Sequence, residues 1–389
     1  MFHGDAVNEP PRSGSRVPRT VMQRRDRSGR RIDGAARPPS RRHRGLVCLA
    51  MALCAMAAPV LAHARERTPL VVYTALEPEQ QGPVKAAIET AVPEVEIRWV
   101  YMQTGTLTER VLAERAQPQA DMILALAATS MITFKQAGLL LPYRPAAADE
   151  LRPQFADGTP PYSWTGMDAY LGVICFNEAA GPGGLSAPVT WRDLLSPALR
   201  GRIAMPDPNA TGTGYLLVAG WLQSMGERDG WAFMDALHAN VSAYLQTGAA
   251  PCNAAAAGST AIGLTYDMRA ALLKGEGAPI RILVPLDGVG WEVEAFAIMA
   301  ASTHPDLAKR VADWAASEAA NRLYGQTFAI VAHPAVGNAP PTYPAYAENR
   351  MIRNDLTWMA TNRPRILAEW TRRYGAKSVP PRASAAIPQ

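Results

Sequence analysis

Two apolar periodicities alternate along the chain from about residue 70 to residue 374. Leu70-Val71-Val72-Tyr73 is an unbroken apolar run of strand length, and Val95–Val100 alternates as a half-buried strand does. Between them Glu79–Val92 reads as a helix closed by Pro93. Thr106–Ala116 predicts a helix with Leu107, Val111 and Leu112 on one face. Asp121–Leu126 predicts a strand, and Ser130–Gly138 a helix stopped by its glycine. The alternation recurs, with strands over Tyr170–Phe176, Arg202–Met205 and Ala261–Tyr266. Helices are expected over Gly214–Met225, Gly230–Asn240, Pro305–Ala316, Glu318–Tyr324 and Asn362–Tyr374. Such a pattern predicts an α/β fold with helices packed on a largely parallel sheet. Ligands of open α/β sheets sit at the carboxyl ends of strands. The loops to examine are therefore Thr74–Glu77, Gln103–Thr106, Ala127–Ser130, Asp207–Gly214 and Asp267–Arg269.

The first 64 residues read differently. An arginine-rich stretch, Arg12 to Arg44, precedes the uncharged apolar run Leu46–Ala62, which ends in Ala62-His63-Ala64. Basic, then apolar, then small is the order of a cleaved secretory signal. The reading is a leader over 1–64 and export to the periplasm. Ser40-Arg41-Arg42 hints at twin-arginine export, but no apolar residues follow at once; Met22 is a second candidate start. Residues 1–64 hold twelve Arg and four acids, a net of +8, against +5 for the whole chain. The remainder is therefore −3, and the isoelectric point near 9.1 belongs to the leader. Nucleic-acid binding loses its electrostatic support.

The 325 residues that remain exceed one typical domain, so two lobes are expected. Residues after Tyr374 are rich in Pro, Ala and Ser, and 376–389 reads as a flexible tail. Beyond the leader the chain keeps Cys175 and Cys252. An even count in an exported chain favours a disulfide between them over two buried thiols.

Three of the strand-end loops are small, hydroxylated or glycine-rich and run straight into helices: Gln103-Thr104-Gly105-Thr106, Ala127-Ala128-Thr129-Ser130 and Asn209-Ala210-Thr211-Gly212-Thr213-Gly214. Helix N-termini with free N–H groups and nearby hydroxyls suit a phosphate-like or carboxylate anion. Plain N-capping uses the same residues, so both readings stand. Acids occupy comparable places: Glu77, Asp267, and Glu292 with Glu294 on one face of Trp291-Glu292-Val293-Glu294. Taken alone, Glu292 reads as a solvated loop charge. Trp291, Tyr266, Trp164 and Tyr101 offer rings for an ammonium group. An anion cradle beside carboxylates suggests a zwitterion.

Enzyme signatures are missing. His238, His304 and His333 stand in no H-E-x-x-H arrangement, there is no G-x-S-x-G, no Walker lysine sequence and no Cys/His cluster at zinc spacing. The expectation is a binding protein with no catalytic residues, no metal and no cofactor.

At this point a family resemblance emerges. Val72-Tyr73-Thr74-Ala75-Leu76-Glu77, Gln119-Ala120-Asp121, Gly138-Leu139-Leu140, Ile174-Cys175-Phe176-Asn177 and Thr190-Trp191-x-Asp193-Leu194 resemble ferric-iron-binding-type periplasmic solute-binding proteins. Met205-Pro206-x-Pro208, Thr211-Gly212-Thr213-Gly214, Pro251-Cys252, Gly290-Trp291-x-x-Glu294-Ala295-Phe296-Ala297-Ile298 and Ile366-Leu367-Ala368-Glu369-Trp370 resemble, more narrowly, the 2-aminoethylphosphonate-binding proteins of ABC importers. The resemblance implies the type II periplasmic-binding-protein fold: two α/β lobes joined by a hinge, with the ligand between them. Lobe one would comprise 65–169 and 292–375, and lobe two 170–291. The chain would cross near Asp168–Leu171 and return near Trp291–Ala295. It implies a monomer that captures a small phosphonate and hands it to the transmembrane permease subunits. Thr104, Thr106, Thr129, Ser130, Thr211, Gly212 and Thr213 are its candidates for the phosphonate. Glu77, Asp267 and Glu294 are those for the ammonium, with Tyr266 and Trp291 as aromatic neighbours. Iron-binding relatives use adjacent tyrosines, and here the matching stretch is Tyr266-Asp267. Another ligand on the same fold (a sugar phosphate, a polyamine or ferric iron) and an exported phosphonate-processing enzyme are the rivals.

Overall fold

A computed structural model describes residues 67–180, 185–337 and 339–380. The leader over 1–64 and the end of the tail lie outside these residues.

The first strand-helix units form as their periodicities require. Strands β1 (Thr68–Thr74), β2 (Val95–Tyr101) and β3 (Met122–Ala127) alternate with helices α1 (Pro78–Ala91), α2 (Thr104–Ala113) and α3 (Ala128–Gln136). β1 lies between β2 and β3, parallel to both. The second group holds β5 (Ile203–Pro206), β6 (Val241–Leu245) and β7 (Ile262–Tyr266), with β5 central and parallel to its neighbours. Its helices are α4 (Gly212–Met225), α5 (Glu227–His238), α6 (Ala250–Ala256) and α7 (Asp267–Gly275).

Two long strands join the groups. β4 (Thr165–Asn177) is buried along its whole length, and β9 (Trp291–Ile298) nearly so. β9 runs antiparallel between β3 and β4. β4 pairs with β9 through Leu171 and then, from Gly172, with β7 and with β8 (Ile280–Leu283). The short β10 (Ile330–Val331) also pairs with β4. The sheet order is β2-β1-β3-β9-β4-β7-β5-β6. The sheet is thus mixed rather than largely parallel: parallel order holds within each group, and every pairing made by β4 or β9 is antiparallel. This is the two-lobed α/β architecture of type II periplasmic binding proteins, with β4 and β9 running between the lobes.

Helices α8 (Pro305–Ala316), α9 (Glu318–Tyr324) and α10 (Leu356–Tyr374) complete the described chain. α10 starts two turns before Asn362, where Asp355 accepts a hydrogen bond from the Trp358 N–H and caps it. Pro364 lies inside this helix. The first residues of the expected tail are held in place. Lys377 donates to the carbonyls of His238 and Val241, and the Val379 N–H donates to Tyr244.

Cys175 and Cys252 are bonded, tying β4 to α6 across a sequence separation of 77. Both are fully buried. Closing a loop of that length removes enough entropy from the unfolded chain to stabilise the fold by about 4 kcal/mol. Cys175→Ser is expected to lower the unfolding free energy by about that amount in oxidising denaturant titrations. A loss under about 1 kcal/mol would show that the unfolded chain is hardly constrained by the bridge.

Candidate functional site

Strand ends and helix starts from both groups meet at one cavity. β1 delivers Ala75 and Glu77, and the start of α2 delivers Gln103 and Thr104. The start of α4 delivers Gly212 and Thr213, the end of β7 delivers Tyr266, and the two joining strands deliver Tyr170 and Glu294. The space open to water is only about 30 Å³, room for one or two water molecules. The walls are drawn together by direct contacts between the two groups. The Tyr266 hydroxyl donates to the Glu77 carboxylate at 2.8 Å. The Gly105 N–H donates to the Ala210 carbonyl at 2.9 Å, and the Gly248 N–H to Gln103 Oε1 at 3.3 Å. Arg269 and Glu79 close the rim at 3.2 Å.

Glycine is required where the lobes touch. A Cβ on Gly105 would lie 2.0 Å from the Asn209 carbonyl oxygen, and one on Gly212 would lie 2.9 Å from the Tyr170 hydroxyl and 3.0 Å from Thr104 Oγ1. The first helix turns of α2 and α4 therefore face each other at van der Waals range, and each contributes residues to the cavity lining.

Of the sequence-derived candidates, Glu77, Thr104, Gly212, Thr213, Tyr266 and Glu294 line the cavity. The others are placed elsewhere. Thr106 is exposed on α2. Thr211 accepts from the Gly214 N–H and donates to the Asp207 carbonyl, so its hydroxyl caps α4. Ser130 shares a hydrogen bond with Thr108. Asp267 accepts from the Leu171 N–H and the Tyr343 hydroxyl. Trp291 donates through its indole to the Ile352 carbonyl. Thr129 donates to Glu292 at 2.7 Å.

That last bond corrects the reading of Glu292 as a solvated charge. It is 2 % exposed and accepts from Thr129 and from the Val293 N–H. Tyr170, Gln103 and Gly248 also join the site, and of these only Gln103 falls in a loop singled out by its composition. Tyr170 sits within a strand, and the other two contribute through backbone placement or a single amide.

The electrostatics are dominated by acids. Burial, with the charges of Glu77, Asp267 and Glu292, pushes Glu294 up to about 8. Burial raises Glu292 to about 7 against the hydrogen bonds from Thr129 and Val293. It raises Asp267 to about 6 against those from Tyr343 and Leu171. Glu77 is also raised by burial, partly offset by the Tyr266 hydroxyl. No Lys or Arg is among the described residues that line the cavity. The nearest buried cation, Arg363, lies over the Tyr215 ring at 4.6 Å. A cavity of this kind favours a cation beside Glu77 and Glu294. Any anion must rely on the hydroxyls and N–H groups of the α2 and α4 starts.

These shifts predict a falling stability of the empty protein as pH rises. Each acid is protonated more readily folded than unfolded, where carboxyls titrate near about 4. Its favourable contribution is complete below that value and is lost as pH rises through the folded value. The melting temperature should fall from about pH 5 to about pH 8, the window set by Asp267, Glu292 and Glu294. His238, lowered by burial, opposes this through its own titration. Thermal melts across the window check the sign; a melting temperature that climbs throughout would contradict it.

The sequence profile of the bacterial extracellular solute-binding proteins matches residues 117–353. A probable ABC transporter periplasmic-binding protein of Sinorhizobium fredii, y4fP, is 28% identical over 264 residues, covering 65% of this chain and 72% of that protein. An uncharacterized protein of Haemophilus influenzae is 28% identical over 257 residues, 64% of this chain and 74% of the relative. Among solved structures, the periplasmic binding protein AfuA of Actinobacillus pleuropneumoniae, with fructose-6-phosphate bound, superposes with a TM-score of 0.74 at 24% identity, covering 79% of this chain and 98% of that one. Iron-bound HitA of Pseudomonas aeruginosa gives 0.66 at 20% identity over 78% and 99%.

Proposed function

Because the chain belongs to the bacterial extracellular solute-binding proteins, we propose that its cavity captures a small zwitterion, 2-aminoethylphosphonate or a near relative. The protein is a periplasmic solute-binding component of an ABC transporter, and its relatives are binding proteins rather than enzymes. We place the lobes at 65–169 with 292–375, and at 170–291. The switch of β4 from pairing with β9 to pairing with β7 and β8 at Leu171–Gly172 supports that division. The protein works as a monomer that closes its lobes on the ligand and presents it to the permease.

One observation carries the ligand reading. The same cavity joins two raised carboxylates, Glu77 and Glu294, to the starts of two helices at Thr104 and Gly212-Thr213. An ammonium group satisfies the first pair. A phosphonate suits the hydroxyls and N–H groups of the second. The Glu77–Tyr266 bond then exchanges its internal partner for the ligand. Charge-assisted bonds of about 1.5–3 kcal/mol each support micromolar or tighter binding, about −8 kcal/mol.

Two observations favour rival ligands. AfuA carries a sugar phosphate, and Tyr170 supplies a second phenol beside Tyr266, Glu77 and Glu294, a set of hard oxygen donors suited to ferric iron. Calorimetry with 2-aminoethylphosphonate, phosphate, a hexose phosphate, spermidine and ferric iron decides among them. Heat with 2-aminoethylphosphonate and none with phosphate supports the zwitterion. Heat only with the hexose phosphate, or visible absorption with iron, overturns it.

A further inference from the structure

Beside the ligand cavity stands an acid that does not line it: Asp168 borders a separate cavity with Tyr324 and Phe328. Asp168 on β4 stands directly opposite Glu294 on β9 in the antiparallel register. Asp168 is 0 % exposed, and both of its carboxylate oxygens lack a hydrogen-bond partner. Glu294 faces the ligand cavity, and its Oε2 is also without a partner. Three buried carboxylate oxygens thus stand at paired positions of two strands with no donor supplied to them.

The surroundings do not compensate. Asp267 from α7, Glu292 from β9 and Glu77 after β1 all add negative charge to the pair. The phenols of Tyr170 on β4, Tyr266 on β7 and Tyr324 on α9 feel the pair as negative charge and stay neutral. Arg363 on α10 acts on Glu292 and Tyr170, and Arg269 on α7 acts on Glu77 and Tyr266; neither bears on the pair. Two neighbouring carboxylates whose buried oxygens lack donors do not both ionise readily without a cation between or beside them.

We infer that Asp168 is a second acid of the ligand site, and that it sets the site's demand for a cation. With Glu294 it holds one proton while the cleft is empty and surrenders it when an ammonium group binds. The balance is simple. The empty pair carries one proton and one negative charge. On binding, the proton leaves to solvent, the pair becomes doubly negative, and the ammonium supplies one positive charge at Glu294. A ligand without a cationic end leaves the proton in place and gains nothing from the pair. The inference rests on the reading of the cleft as an amine site.

Linkage then fixes the pH dependence. Binding that expels one proton strengthens by up to about tenfold per pH unit. The slope ends where the empty pair loses its proton by itself, near the value of about 8 for Glu294.

Two measurements test this, one of which needs no ligand. Infrared spectra of the empty protein at neutral pH should show a protonated-carboxyl carbonyl band that weakens in Asp168→Asn and in Glu294→Gln. An undiminished band in both variants overturns the inference, and so does its absence from the wild type. Calorimetry with 2-aminoethylphosphonate in PIPES and in Tris, at equal pH, counts the protons released. The expectation is close to one proton for the wild type and less than about half in Asp168→Asn. Amine binding without proton release overturns the exchange and leaves the amine reading intact. No binding of any amine, with the infrared band behaving as expected, overturns the amine reading and the exchange with it, yet leaves the proton-holding pair.

Discussion

Glu77→Gln is expected to weaken 2-aminoethylphosphonate binding about a hundredfold, close to 3 kcal/mol. Binding of ethylphosphonate, which lacks the amine, should change by less than about threefold. The substitution keeps the size of the side chain and an oxygen able to accept from the Tyr266 hydroxyl, now 2.8 Å away. It therefore removes charge and little else. The carboxylate of Glu77 is already costly, since burial raises it and the Tyr266 hydroxyl offsets only part of that. An arriving ammonium recovers this cost, so the charge acts on binding more than on folding. Melting should show Glu77→Gln as stable as the wild type or slightly more so. Equal losses for both ligands would remove Glu77 from the ammonium site and shift the role to Glu294.

How far the sequence reveals such a site depends on which physical signal each residue leaves. Glu77, Thr104, Gly212, Thr213 and Tyr266 sit where strands end or helices begin, and an open α/β sheet directs those places at its ligand. Position alone does not say whether a hydroxyl is free. Thr211 and Thr129 look like Thr104 and Thr213 in the sequence, yet the first caps α4 and the second holds Glu292. N-capping and anion binding use the same chemistry, so only the partner distinguishes them. Glu292 illustrates the converse. Alternation places it with Glu294, but its burial depends on β9 passing between β3 and β4, a long-range pairing. The direction of that pairing also separates a mixed sheet from a parallel one, and apolar periodicity is the same for both.

The elements that the pattern misses have similar causes. α6 is Ala-Pro-Cys-Asn-Ala-Ala-Ala, with no apolar stripe to announce it. α7 begins at Asp267 directly from β7, so its first turn reads as a loop. Asp168 lies inside a buried strand whose apolar run the sequence shows only from Tyr170. A single acid ahead of such a run resembles a strand boundary. Its importance comes from what it lacks, a hydrogen-bond partner, and that is a property of the packed structure.

Gly105→Ala is expected to abolish tight binding without harming the fold. The added Cβ would stand 2.0 Å from the Asn209 carbonyl oxygen and 2.8 Å from the Ala210 carbonyl, both backbone atoms that no rotamer change can move. Those atoms belong to the opposite lobe in the division proposed above, so the clash exists only when the cleft is closed. Gly105 lies in the first turn of α2, where alanine is the better helix former by about 0.5–1 kcal/mol. The open protein should melt at the same temperature as the wild type or higher. Apparent affinity scales with the population of the binding-competent state. Excluding closure should cost roughly a hundredfold or more in affinity for every ligand alike. This uniformity separates it from Glu77→Gln, which discriminates by charge. Small-angle scattering with and without 2-aminoethylphosphonate gives the structural half of the check: the wild type should contract on adding ligand, and Gly105→Ala should keep one radius of gyration. A variant that binds and contracts like the wild type would show that the α2 start and the Asn209–Ala210 loop separate in the liganded form. The phosphonate would then have to be held by α4 alone.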